Sequence, residues 1–157
     1  MANTSDKPCI ETFGSKALNE IVQKLQTTSD ARRRYEYILW LGKKLPNLPE
    51  DFRTEKVKVK GCVSQVFVLG EIIDNHLQWR GYSDALITKG LLALLIQGLS
   101  NLTPNEVMGI NPSFIASAGL HGSLTPSRAN GFLNILLAMQ EQAKAYAINN
   151  QKFSSTS

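Results

Sequence analysis

Cys62 is the residue of this chain best suited to covalent chemistry. It lies in Lys58-Val59-Lys60-Gly61-Cys62-Val63-Ser64-Gln65-Val66, with a glycine before it, two lysines within four positions and an apolar run after it. A thiolate is a strong nucleophile and a metal ligand; the thiol is far less reactive. Free cysteine, with a pKa near 8.5, is only about 3% thiolate at pH 7. Under strand alternation Lys58 and Lys60 share a side with Cys62, and their charges are expected to lower its pKa by roughly half a unit to one unit. Such a thiol suits a nucleophile or a sulfur carrier. A lone cysteine near a strand is also commonly a small buried hydrophobe, so the residue alone leaves both readings open.

Metal clusters ask for more. Structural zinc and iron–sulfur sites generally take four protein ligands, usually cysteines or histidines at close spacing. The chain offers two cysteines, Cys9 and Cys62, and two histidines, His76 and His121, with no C-x-x-C. Cys9 falls in a polar N-terminal stretch, and in a reducing compartment both thiols are expected to stay free. The glycine-rich phosphate-binding motifs are missing from the sequence. A cysteine hydrolase would need a base, for which His76 and His121 are the candidates, although no spacing ties either to Cys62.

The chain has 157 residues, 43% hydrophobic and 19% charged, which fits one globular domain with a single core. The longest apolar stretch, Gly90 to Ile96, is far short of the roughly 20 residues a membrane span needs. The first residues carry no apolar signal region, so a cytoplasmic location and no membrane association are expected. The net charge is +4. Its basic clusters, Arg32-Arg33-Arg34 and Lys43-Lys44, interleave with Tyr35, Ile38, Leu39 and Leu41 at helical spacing. That pattern describes a solvated helix face, and nucleic-acid binding is not expected.

The elements that must position Cys62 follow from periodicity. A first helix is expected over about Ile10–Gln26 and a second over Ala31–Leu45, with Thr27 to Asp30 between them as break and cap. The period then changes to two. Lys56 to Lys60, Gln65 to Ile72 and His76 to Tyr82 read as three short antiparallel strands, with Asp74-Asn75 as a turn. Ser83 is expected to cap a buried helix running to Leu99, with Asp84 in its first turn. Thr103-Pro104-Asn105-Glu106 forms a capping box, and Asn111 to Phe114 opens another short helix. Gly119 to Leu124 reads as a loop, and Thr125-Pro126-Ser127-Arg128 starts the last helix, to about Ile148. The expected fold is α+β, a small three-stranded antiparallel sheet packed with helices. Its domain is expected over residues 10–148, with flexible termini at 1–9 and 149–157.

Four blocks of the sequence resemble the SufE family of sulfur acceptor proteins. They are Gly61 to Val66; Tyr35 to Gly42 with Leu45-Pro46; Gly81 to Leu91; and Leu124 to Gly131. The resemblance spans roughly residues 15–147. It implies the fold that this family shares with IscU-type scaffolds. It also implies an acceptor that takes persulfide sulfur from a cysteine desulfurase (SufS-like or CsdA-like), stimulates that enzyme and passes the sulfur to a downstream iron–sulfur scaffold. The acceptor residue by motif position is Cys62. No cofactor of its own is implied, since pyridoxal phosphate belongs to the desulfurase, and either a monomer or a homodimer is compatible. An iron–sulfur scaffold is the alternative, and a cysteine hydrolase a more distant one. With one cysteine in the domain, sulfur transfer is expected and cluster building is not.

Supporting roles are assigned by position. Arg128, a cation in the first turn of a helix, opposes the helix dipole and is a candidate to pair with Asp84 or steady an anionic persulfide. Ser64 is expected to satisfy a turn or hydrogen-bond the thiolate. His121 is a candidate to line the site, and Gly61 to let the loop swing.

Overall fold

The structure, a computed structural model, describes residues 13–62 and 64–156, with the backbone only at residue 121 and residues 150–156. Cys9 and the start of the expected first helix lie outside the described residues. Helix α1 (Lys16–Thr27) begins at Ser15, whose side chain accepts from the Leu18 N–H, and its apolar stripe Leu18, Ile21, Val22 and Leu25 is buried. Helix α2 (Ala31–Gly42) is capped by Asp30, as its sequence predicts, and ends before Pro46. Two single-turn 3₁₀ segments, Glu50–Phe52 and Glu55–Val57, lead to the Cys62 region.

The sheet has two strands, β1 (Val66–Ile73) and β2 (His76–Ser83), paired antiparallel from Val66↔Ser83 to Ile73↔His76. Asp74 and Asn75 both take positive φ, 52° and 67°, as a two-residue hairpin turn requires. The third strand expected over Lys56–Lys60 is not formed among the described residues. Its remnant is one bridge, Lys58↔Phe67, with the Val59 N–H donating to the Val66 carbonyl at 2.8 Å. The rest of that edge is already occupied. Gln142 donates to the Val68 carbonyl (2.8 Å) and accepts from the Gly70 N–H (2.9 Å), while the Tyr146 hydroxyl donates to the Gly70 carbonyl (2.8 Å). Side chains of the last helix thus satisfy the backbone groups that a third strand would have paired, and protect the edge.

Helix α3 (Leu86–Leu99) runs through the middle, with eleven of its fourteen residues buried. It packs against α1 and α2, and also meets β2 and the last helix. Gly42 and Gly90 allow α2 and α3 to touch backbone to backbone: a methyl built on Gly90 would stand 2.2 Å from the Ile38 carbonyl oxygen. Helix α4 (Pro104–Met108) carries the expected capping box of Thr103 and Glu106. Helix α5 (Phe114–Ser117) follows, and the segment expected to be a loop contains one further turn, α6 (Leu120–Ser123). Helix α7 (Pro126–Thr156) continues past Ile148. Thr125 caps it by accepting from the Arg128 N–H at 3.3 Å. The fold is therefore α+β with a two-stranded sheet. No helix among the described residues is long and apolar enough to cross a membrane.

Candidate functional site

The chain reaches the site from the Lys58↔Phe67 bridge, turns at Gly61 and enters β1 through Gln65. Gly61 has φ +82°, a left-handed conformation that suits glycine, and it ends the strand-like alternation one residue before Cys62. The sequence periodicity that would have aligned Lys58 and Lys60 with the thiol is broken at that point. Lys60 is exposed and Lys58 half-buried.

Cys62 is half-buried and free, and its S–H donates to the Gly131 carbonyl at 3.6 Å. It lines a cavity of about 260 Å³ together with Ser64, Thr88, Arg128, Gly131 and Phe132, drawn from the loop, α3 and the start of α7. Burial pushes the Cys62 thiol above its ordinary pKa. This reverses the lowering expected from the lysines: removal from water is the one cause of the shift, and neither lysine contributes to it. The resting group is the protonated thiol, and its nearest polar partner, a carbonyl oxygen, offers no stabilisation to a thiolate.

The supporting residues fall into place unevenly. Ser64 Oγ lies 3.4 Å from Thr88 Oγ1, so within the cavity it pairs with a neighbouring hydroxyl. Asp84 is outside helix α3, which starts at Leu86 with Ala85 as its N-cap. Its carboxylate instead accepts from the Gln65 N–H at 3.0 Å, while the Asp84 N–H donates back to the Gln65 carbonyl at 3.3 Å. Asp84 therefore fastens the downstream end of the Cys62 loop to the end of β2. The expected cap residue Ser83 is the last residue of β2, its hydroxyl accepting from the Ala85 N–H.

Arg128 reaches the cavity, but among the described residues it forms no ion pair with Asp84 or any other carboxylate. Its side chain and the first turn of α7 both line the cavity, and a cation and a helix N-terminus each favour negative charge nearby. The His121 side chain lies outside the described residues. His76 stands at the opposite end of the hairpin, where its ring bonds the Asp74 carbonyl at 2.7 Å. Strand β1 alone separates the two ends by roughly 23 Å at about 3.3 Å per residue, which removes His76 as a base for Cys62. Among the described residues no group of three His, Cys, Asp or Glu side chains is arranged to hold a metal ion.

One partner was not legible as a site residue. Asn134, on α7, donates through Nδ2 to the Gly61 carbonyl at 3.1 Å. The only signal in the sequence is position: it follows Gly131 by three residues and so shares its face of the helix. A larger cleft, about 420 Å³, lies on α2 and the first turn of α3 beside Trp40, Lys43, Leu86 and Lys89, and has no cysteine in its wall.

Comparison with known proteins agrees with this architecture. Residues 19–143 match the SufE family, described as an Fe-S metabolism associated domain. An uncharacterized SufE-like protein of Synechocystis is 48% identical over 131 residues, covering 83% of this chain and 82% of that protein. The cysteine desulfuration protein SufE of Plasmodium vivax is 34% identical over 86% of this chain, which spans 56% of that protein's length. The solution structure of a hypothetical protein from Thermus thermophilus has the same fold, with a TM-score of 0.74 over 83% of this chain and 96% of that one, at 23% identity. This chain belongs to the SufE family.

Proposed function

We propose that the protein is a sulfur acceptor of iron–sulfur metabolism that receives persulfide sulfur from a cysteine desulfurase on Cys62, stimulates that enzyme, and delivers the sulfur to a scaffold. The observation that carries this reading is a single thiol seated in a small cavity at the cationic start of α7, with no second metal-ligating group described beside it. One thiol can carry one sulfur; an iron–sulfur scaffold needs several ligands.

In the transfer step the Cys62 sulfur bonds to the terminal sulfur of the partner's persulfide. The partner's S–S bond breaks, and its own cysteine leaves with the electron pair as a thiolate. One S–S bond forms as one is lost, so no external oxidant or reductant is involved. Cys62 must give up its proton for this, and burial holds that proton on in the free protein. Docking supplies the change: the loop leaves the cavity, and the thiol ionises in the partner's site. The returning persulfide is a stronger acid than the thiol and carries negative charge, which Arg128 and the α7 N-terminus are placed to accommodate.

Turnover of a SufS-like desulfurase, followed by alanine release from cysteine, tests this directly. The wild-type protein is expected to stimulate turnover, Cys62→Ser to fall to the unstimulated rate, and Cys9→Ser to match wild type. Full stimulation by Cys62→Ser would remove the acceptor role.

A further inference from the structure

We propose that Asn134 is a positioning residue for Cys62, latching the resting loop to α7 through the Gly61 carbonyl and so setting how readily the thiol leaves its cavity. The inference rests on Cys62 being the transferring thiol, and it adds a residue that lies outside the cavity wall.

Among the described residues two polar contacts tie Gly61 and Cys62 to α7, and they are unequal. The Cys62 S–H donates to the Gly131 carbonyl at 3.6 Å, and a thiol is a weak donor. Asn134 Nδ2 donates to the Gly61 carbonyl at 3.1 Å, an ordinary amide hydrogen bond. Gly131 and Asn134 are three residues apart, so one face of one helix holds both the thiol and the backbone preceding it. The amide orientation follows from chemistry, because only the NH₂ end of an asparagine can donate to a carbonyl.

The fit is close. A methyl built on Gly61 would stand 2.6 Å from Asn134 Nδ2, so the amide is seated directly against the bare backbone. At the downstream end, Gln65 is bonded twice to Asp84. With that end fastened to β2, release of the Cys62 loop starts from Gly61, and the strongest bond opposing it is the one from Asn134.

The test is the second-order rate of Cys62 alkylation by iodoacetamide in the free, full-length protein, read by mass spectrometry of the Cys62 peptide. Asn134→Ala removes the donor, and Asn134→Asp replaces it with a near-isosteric carboxylate that cannot donate. Both are expected to react about fivefold faster, equivalent to about 1 kcal/mol, the net worth of such a bond. Lys144→Ala, an exposed change further along α7, is expected to leave the rate unchanged. In Asn134→Ala the increase should hold at every pH without moving the midpoint of the profile, because the latch acts on the loop and not on thiol acidity.

Wild-type rates in both Asn134 variants would overturn the latch, as would a gain in Asn134→Ala explained entirely by a shifted midpoint. Incubation of the same proteins with a desulfurase and cysteine separates the two readings. A persulfide on Cys62 with unaltered alkylation rates rejects the latch alone. Absence of a persulfide on the wild-type protein rejects sulfur acceptance and leaves the alkylation comparison standing.

Discussion

At the residue scale, the thiol itself was legible and its electrostatics were not. A single cysteine between a glycine and an apolar run marks Cys62, but neighbours in sequence predict the wrong sign for its acidity. The positive φ of Gly61 turns the chain away from strand geometry, and α7 and α3 then bury the sulfur. The raised pKa has a sign that can be checked. The thiolate fraction at neutral pH falls below that of free cysteine, so alkylation of the unpartnered protein should be slower than that of a peptide thiol. Its rate should climb to a midpoint above that of a peptide thiol. Because the folded state holds this proton more tightly than the unfolded chain, the associated stability is complete below the unfolded pKa and is lost as pH rises through the folded value. A midpoint at or below that of a peptide thiol would contradict the burial argument. Arg128 was recognisable as a cation placed against a helix dipole, whereas its lack of a carboxylate partner among the described residues emerged only in three dimensions. Arg128→Ala should slow sulfur transfer by about tenfold, the worth of one charge-assisted contact, while Tm stays within about 2 °C. An equal loss in a variant that also melts early would make Arg128 merely structural.

At the element scale, helices were read well wherever periodicity and caps agreed. Asp30, the Thr103–Glu106 box and Thr125 all sit where their sequences place them. Errors arose where an element depends on a distant partner. Lys56–Lys60 has strand alternation, yet Gln142 and Tyr146, more than 70 residues away from the β1 groups they bond, take the edge it would have used. Asp84 has the composition of a helix start, yet a backbone N–H 19 residues earlier claims its carboxylate. Neither competition is visible in a local window. The close approach of α2 and α3 is likewise a tertiary fact, and it yields a prediction. Gly90→Ala would drive a methyl into the Ile38 carbonyl, a backbone atom that moves only if the helices separate. A loss of about 2 kcal/mol or more is expected, or roughly 4–8 °C in Tm. Melting within about one degree of wild type would show that the crossing is looser than described.

At the scale of the whole molecule, α7 links the parts. Its first turn lines the cavity, its second and third hold the thiol and the loop, and its later turns cover the sheet edge. The family assignment and the α+β architecture were both expected from the sequence, with one strand too many. On the function proposed above, a single thiol at the site allows this protein to carry one sulfur that a partner generates. The central claim is that Cys62 holds that sulfur, and intact-protein and peptide mass spectrometry tests it most directly. After incubation with a cysteine desulfurase, its cofactor and cysteine, the account predicts an added mass of about 32 daltons, one sulfur atom, located on Cys62 and reversed by a thiol reductant. An unmodified Cys62 in a reaction where the desulfurase itself carries persulfide, or the added sulfur found on Cys9 alone, would contradict it.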